Sequence, residues 1–223
     1  MNLKSYLVFS SKISAALRAE TPVLAIAGQE ILCKLDQSSR YEYAKALQDA
    51  VGAEGAEPAF LFIINGQMHI GVEENELLQC CESDNSVTLS NVPFCLAQKE
   101  CAAACASAAI FMAGLAGIRT VAAFNQADLS ETVSAIGSMP IALITNSNDA
   151  LHDNLLGEAV PVYHINSSNL SPSNAALICQ IKWDLGLTSG VCFCGDNVFE
   201  TEKEKAQAAL QNAVWAAKIA FNI

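Results

Sequence analysis

The chain has 223 residues, enough for one large domain with its own core, and 52% of them are hydrophobic against 16% charged. That balance excludes a disordered chain. Twelve Lys and Arg stand against 23 Asp and Glu, and the net charge of −11 argues against a phosphate-backbone partner such as nucleic acid. The first twenty residues lack the continuous apolar core of a signal peptide, and the most apolar stretch, Cys101 to Gly117, is short for a membrane span. A cytoplasmic, membrane-free protein is the expectation. Nine cysteines occur without a C-x-x-C pair, and His69, His152 and His164 have no zinc-ligand spacing, so reduced, mostly buried thiols are expected.

In chain order, residues 1–20 read as an N-terminal extension, and Pro22–Ile26 (PVLAI) as a short strand. Ser39 with Glu42 has capping-box spacing before a helix that glycines at 52 and 55 end. Phe60–Ile64 is a strand, Asn65-Gly66 is a strong hairpin signal, and Met68, Ile70 and Val72 alternate on the return. The acidic EENELLQCCESDNS segment reads as a short helix and loop, and Pro93–Gly117 as helical throughout. Strands follow at Ile118–Phe124, Pro140–Thr145 and Pro161–Ile165. Ser171–Leu187 carries a helix with Ala175, Ile178, Ile181 and Trp183 inward, GVCFC is the last strand, and Glu202–Phe221 the last helix. This alternation predicts a single α/β domain over 1–223, a three-layer α/β/α sandwich.

No phosphate loop, dinucleotide fingerprint or nucleophile elbow is present. Asp149 and Asp153, four apart, read as a solvated helix face, and His69 and His164 as packed or surface groups rather than bases.

Five segments, in order, carry a resemblance. GAEPAFLFIINGQMHIGV (Gly55–Val72) is similar to GAVPATIAIxxGxxHVGL of the pseudouridine-5′-phosphate glycosidases, the indigoidine synthase A-like family. AGLAGIRT (Ala113–Thr120) resembles AHLAGIRV, and DLSETVSAIGSMPIAL (Asp128–Leu143) resembles DISADLTELxRTPVAV. KWDLGLTSGV (Lys182–Val191) resembles KWxLGLxGGV, and NAVWAAKIA (Asn212–Ala220) resembles NARLAAEIA. The resemblance implies the indigoidine synthase A-like fold, a homotrimer, and reversible cleavage of the C-glycosidic bond of pseudouridine 5′-phosphate to uracil and ribose 5-phosphate. It also implies a lysine that forms a Schiff base with the opened sugar, a carboxylic acid that moves protons, and Mn²⁺ near an aspartate.

Carried onto this chain, most of those groups are replaced. The family's V-A-L-E-S matches Leu24, Ala25, Ile26, Ala27 and Gly28, so its acid is Ala27, and its S-H-G falls on Leu32, Cys33 and Lys34. The lysine of K-x-S-R-R-D-L-P falls on Ser86, and the Schiff-base lysine on Asp149. The S-G-G-T-T-V phosphate and ribose loop matches Cys101, Ala102, Ala103, Ala104, Cys105 and Ala106. Asp128 alone retains its family identity, as catalytic and metal-side aspartate. The family's G-G-I-G-G-V-H-R-G-A, F-P-A-F-Y and G-K-E-V-T-P-F-L-L segments have no counterpart after Val121, after His164 and after Phe199. The expectation is therefore a pseudoenzyme: a binding, regulatory or structural protein on a glycosidase scaffold, with no cofactor unless Mn²⁺ persists. The alternative is a glycosidase or lyase with rebuilt residues acting on a related phosphosugar or nucleotide, Lys34 or Lys99 supplying the amine and Glu30 the acid.

Overall fold

A computed structural model of the chain describes residues 3–32, 36–124, 128–146, 151, 153–155, 160–165, 170–195 and 202–223. Among the described residues, ten strands form one sheet: β1 (Leu7–Phe9), β2 (Val23–Ala27), β3 (Glu57–Ile64), β4 (Gln67–Ile70), β5 (Ser86–Val87), β6 (Ala102–Ala104), β7 (Thr120–Ala122), β8 (Ala142–Asn146), β9 (Val162–His164) and β10 (Val191–Gly195). The order along the sheet is β1-β4-β3-β2-β7-β8-β10-β9, with β6 antiparallel to β3 and parallel to β5. From β3 to β9 every neighbouring pair is parallel. Residues 7–9 thus extend the sheet through β4.

Side chains alternate along each strand, so one strand feeds two cores. Val23, Ala25 and Ala27 of β2 pack with α1 (Ser11–Arg18), α5 (Val92–Gln98), α6 (Ala106–Ala116) and α7 (Leu129–Ser138). Leu24 and Ile26 pack with α3 (Gln37–Gly52), α4 (Glu74–Glu82), α8 (Pro172–Asp184) and α9 (Glu202–Asn222) on the other face. The layering is the expected α/β/α sandwich. No helix among the described residues is long and apolar enough to cross a membrane.

The hairpin at Asn65-Gly66 forms as read, both residues taking positive φ (53° and 79°) between β3 and β4. Two expectations need correction here. Ser39 lies inside α3, whose N-cap position is Asp36, and its hydroxyl donates to the Asp36 carboxylate instead of capping. The reciprocal capping box sits at Glu73 and Glu76 before α4, where a glutamate takes the place sequence rules give to Ser or Thr. Pro93–Gly117 is not one helix: α5 stops at a left-handed Lys99, β6 runs through Ala102–Ala104, and only Ala106–Ala116 resumes helix. Alanine favours helix intrinsically, but pairing with β3 and β5 overrides the propensity.

Helix α8 starts on the Ser171 hydroxyl, which accepts from the Asn174 N–H. Its inward residues are Ala175, Ala176 and Cys179; Ile181 points outward, and Ile178 and Trp183 are half-buried. Lys182 donates to the Ser189 and Gly190 carbonyls and to the Ser189 hydroxyl, at 2.7–2.9 Å. All three ammonium hydrogens are thereby used to hold the turn into β10. Partial burial lowers the pKa of this lysine.

Candidate functional site

The strand order reverses at β2, whose parallel neighbours β3 and β7 both follow it in the chain but lie on opposite sides of it in the sheet. Such a switch point opens a crevice beyond the carboxyl ends of the strands, where open α/β sheets bind ligands. Here those ends are Ala27 of β2, Ala122 of β7, Asn146 of β8 and Gly195 of β10.

Ala27 is fully buried, and the chain turns directly after it at Gly28. A Cβ on Gly28 would lie 2.3 Å from the Leu61 carbonyl oxygen and 3.2 Å from the Ala104 nitrogen. The turn after β2 is therefore pressed against β3 and β6, with no room for a larger residue. Ala102, Ala103 and Ala104 are buried, as are Cys105 and Ala106 at the start of α6. This segment offers methyl groups and a thiol to its surroundings, and its backbone donors at Ala103 and Cys105 are spent on the Asn85 and Val87 carbonyls.

The N-terminus of α6 has an internal anion. Asp128 is buried, and its Oδ2 accepts a 2.9 Å hydrogen bond from the Ser107 N–H while Oδ1 accepts from the Thr132 hydroxyl at 3.1 Å. A carboxylate at this position complements the partial positive charge of the helix end. The Asp128 carbonyl also accepts from the Thr132 N–H, starting α7. Among the described residues no group of three or more His, Cys, Asp or Glu side chains could hold a metal ion. Mn²⁺ requires several hard ligands, so Asp128 with its described neighbours does not fit such a centre.

A second polar chain runs across the same crevice. Glu30, on the short helix α2 (Gln29–Leu32), is buried, and its Oε1 accepts from the Phe124 N–H at 2.8 Å. The Phe124 carbonyl accepts from the Asn146 amide at 3.2 Å, and Asn146 Oδ1 accepts from the Asn212 amide at 2.8 Å. Asn212 fills the space over Gly195, where a Cβ would approach its side chain to 2.6 Å. Gln29 Oε1 is a buried acceptor with no partner among the described residues. The network ties the ends of β2, β7, β8 and α9 together. Asn146 and Asn212 are absent from the sequence-based candidates, although Asn212 opens the NAVWAAKIA segment and carried the signal.

The remaining candidates are dispersed. Ser86 is exposed on β5, opposite Ala103. Lys99 is exposed at the end of α5, beside the β3–β4 turn. Asp149, Lys34, Cys33 and His152 lie outside the described residues, and Asp153 is exposed. His69 is buried 3.7 Å from Glu76, and His164 is half-buried on β9.

A family model described as indigoidine synthase A like protein matches residues 12–153. The pseudouridine-5′-phosphate glycosidase of Petrotoga mobilis is 25% identical over 255 residues, covering 98% of this chain and 83% of that protein. The pseudouridine-5′-phosphate glycosidase of Caldanaerobacter subterraneus subsp. tengcongensis is likewise 25% identical, over 252 residues and 96% and 82% of the two chains. Among solved structures, an indigoidine synthase A-like protein from Thermotoga maritima superposes with a TM-score of 0.80 at 14% identity, covering 96% of this chain and 95% of that one. The prealnumycin C-glycosynthase in complex with ribulose 5-phosphate gives a TM-score of 0.74 at 17% identity, over 97% and 92%. These structural likenesses establish the fold, and the sequence match extends over most of it. The chain belongs to the indigoidine synthase A like family.

Proposed function

We propose that this chain is a catalytically degenerate member of its family, a non-catalytic binding, regulatory or structural protein on the glycosidase scaffold. One observation carries the reading. The segment aligned with the family's phosphate and ribose loop is the closed strand Ala102–Ala104 with Cys105, whose side chains are methyl groups and a thiol and whose N–H groups at Ala103 and Cys105 are spent on the Asn85 and Val87 carbonyls. A substrate phosphate brought there would meet methyl groups in place of donors, in a chain of net charge −11. The carboxyl-bearing position is Ala27, and Ser86 and Asp149 stand where the resemblance places lysines. An aspartate has no amine with which to form an imine. The alignment with the Petrotoga relative spans 255 residues, more than the 223 of this chain, in keeping with lost segments.

The alternative is a glycosidase or lyase with a rebuilt site, acting on a related phosphosugar or nucleotide. Buried Glu30 and Gln29 Oε1, which has no partner among the described residues, favour it, since a proton-transfer group and a substrate acceptor are needed there. Borohydride trapping with ribose 5-phosphate separates the two readings. The first gives no covalent adduct; an adduct lost in Lys34→Ala would install the second.

The same reading holds the protein to be cytoplasmic and self-associating, as a trimer by resemblance, without nucleic-acid or membrane partners. Supporting self-association, Leu177, Ile181, Leu185 and Leu187 are exposed along and just after α8, Leu185 by 72%. Ile181, Leu185 and Leu187 line an open groove of about 570 Å³ with Val160 and Tyr163. Apolar surface concentrated in this way is typical of an interface.

A further inference from the structure

Among the described cysteines, two pairs of sulfur atoms are in contact. Cys192 and Cys194, two apart on one face of β10, are 3.6 Å apart and fully enclosed. Cys80 and Cys101 are 3.7 Å apart and differ in access: Cys80 is buried at the end of α4, and Cys101 is only partly buried before β6. Twenty-one positions separate them in the chain.

The backbone around Cys80 and Cys101 is already held for closure. The Ser83 hydroxyl donates to the Cys101 carbonyl at 3.1 Å, and the Ala103 N–H donates to the Asn85 carbonyl at 2.9 Å. Arg40 braces the same turn from α3, donating to the Cys81 and Ser83 carbonyls and pairing with Asp84 at 2.7 Å. A disulfide requires sulfurs about 2.05 Å apart, which side-chain rotation toward each other approaches from van der Waals contact. The neighbouring Cys81 is aimed into the core and its thiol is pushed up to about 11 by burial.

We infer that Cys80 and Cys101 form a reversible oxidation site, in which hydrogen peroxide converts the thiol pair to a disulfide that clamps α4 to the β6 segment. Cys101, only partly buried, reacts first. Its thiolate attacks one peroxide oxygen, the O–O bond breaks, and hydroxide leaves to be protonated, giving a sulfenic acid and water. The Cys80 sulfur then attacks the Cys101 sulfur; the S–O bond breaks and the departing hydroxide takes the Cys80 proton as a second water. Two thiols lose two electrons in total, and the peroxide is reduced to two waters. The hydrogen bond from Cys80 lowers the Cys101 pKa, which favours the thiolate at the accessible end. The clamp falls on the segment aligned with the family's phosphate loop, so oxidation state and the shape of that surface are coupled. This inference does not depend on whether the protein is catalytic.

The test treats the reduced full chain with hydrogen peroxide, then counts thiols and maps peptides without reduction. Expected are the loss of two thiols, a linked peptide joining Cys80 to Cys101, and full recovery with dithiothreitol. Cys101→Ser and Cys80→Ser should each abolish the linked peptide, and the oxidised wild type should melt at a higher temperature than the reduced protein. A disulfide joining Cys192 to Cys194 or Cys33 to any partner as the main product would overturn the inference. So would unchanged loss of two thiols in Cys101→Ser, or irreversible sulfinic acid at Cys101 with no cross-link.

Discussion

The Asp128 carboxylate sits 2.9 Å from the Ser107 N–H, so this side chain serves as an N-terminal cap for α6. The Thr132 hydroxyl holds its other oxygen, joining the starts of α6 and α7 through one side chain. Removing it strands two buried donors. Asp128→Ala is expected to cost about 1–3 kcal/mol of stability. Asp128→Asn, which keeps one acceptor oxygen, should cost less. Urea unfolding of the three proteins checks the order; equal stabilities would mean the carboxylate is not structural.

Glu30 is expected to behave as a strut for the β7 end. Glu30→Ala leaves the Phe124 N–H without its acceptor and should destabilise by about 1–3 kcal/mol, whereas Glu30→Gln retains an acceptor and most of the stability. Chemical denaturation of both variants distinguishes this from a surface charge, whose removal would move stability by less than about 0.5 kcal/mol.

His69 gives the fold an acid-side dependence. Burial lowers its pKa below the ordinary 6.5, and this outweighs the opposing pull of Glu76. The unfolded chain therefore binds a proton that the folded chain refuses. Stability is full above pH 6.5 and declines as pH falls from there toward the folded pKa, by up to about 1.4 kcal/mol per pH unit. His69→Gln should flatten that part of the curve in melts from pH 7 downward. An unchanged slope would mean that His69 does not carry it.

The α8 surface is expected to hold copies of the chain together. Leu185→Glu combined with Ile181→Glu places charges on two exposed apolar positions and should reduce the mass seen by light scattering to that of one chain. Unchanged mass in the double variant would remove α8 from the interface. Because both side chains are more than half exposed, folding itself should survive, which circular dichroism checks.

The layering was legible because most strands are short apolar runs with turn residues between them, and because Asn65-Gly66 permits little besides a tight hairpin. The 101–117 segment was not legible. Alanine at 102–104 carries helix propensity, and only distant partners, Phe62 on β3 and Ser86 on β5, make it a strand. Likewise Ser39 satisfies a capping pattern, yet the helix had already begun at Gln37. At the crevice, sequence identified Ala27, Asp128 and Glu30 as positions of interest. That Asp128 binds the Ser107 N–H depends on a contact 21 positions away, which no local pattern encodes.

The most direct test of lost catalysis is uracil release. Purified protein is incubated with pseudouridine 5′-phosphate and Mn²⁺, and free uracil is followed by chromatography beside an active glycosidase of the same family. The account predicts no uracil above the protein-free control, with Asp128→Asn indistinguishable from wild type. Uracil released at a rate comparable to the active relative, and abolished by Asp128→Asn, would contradict it.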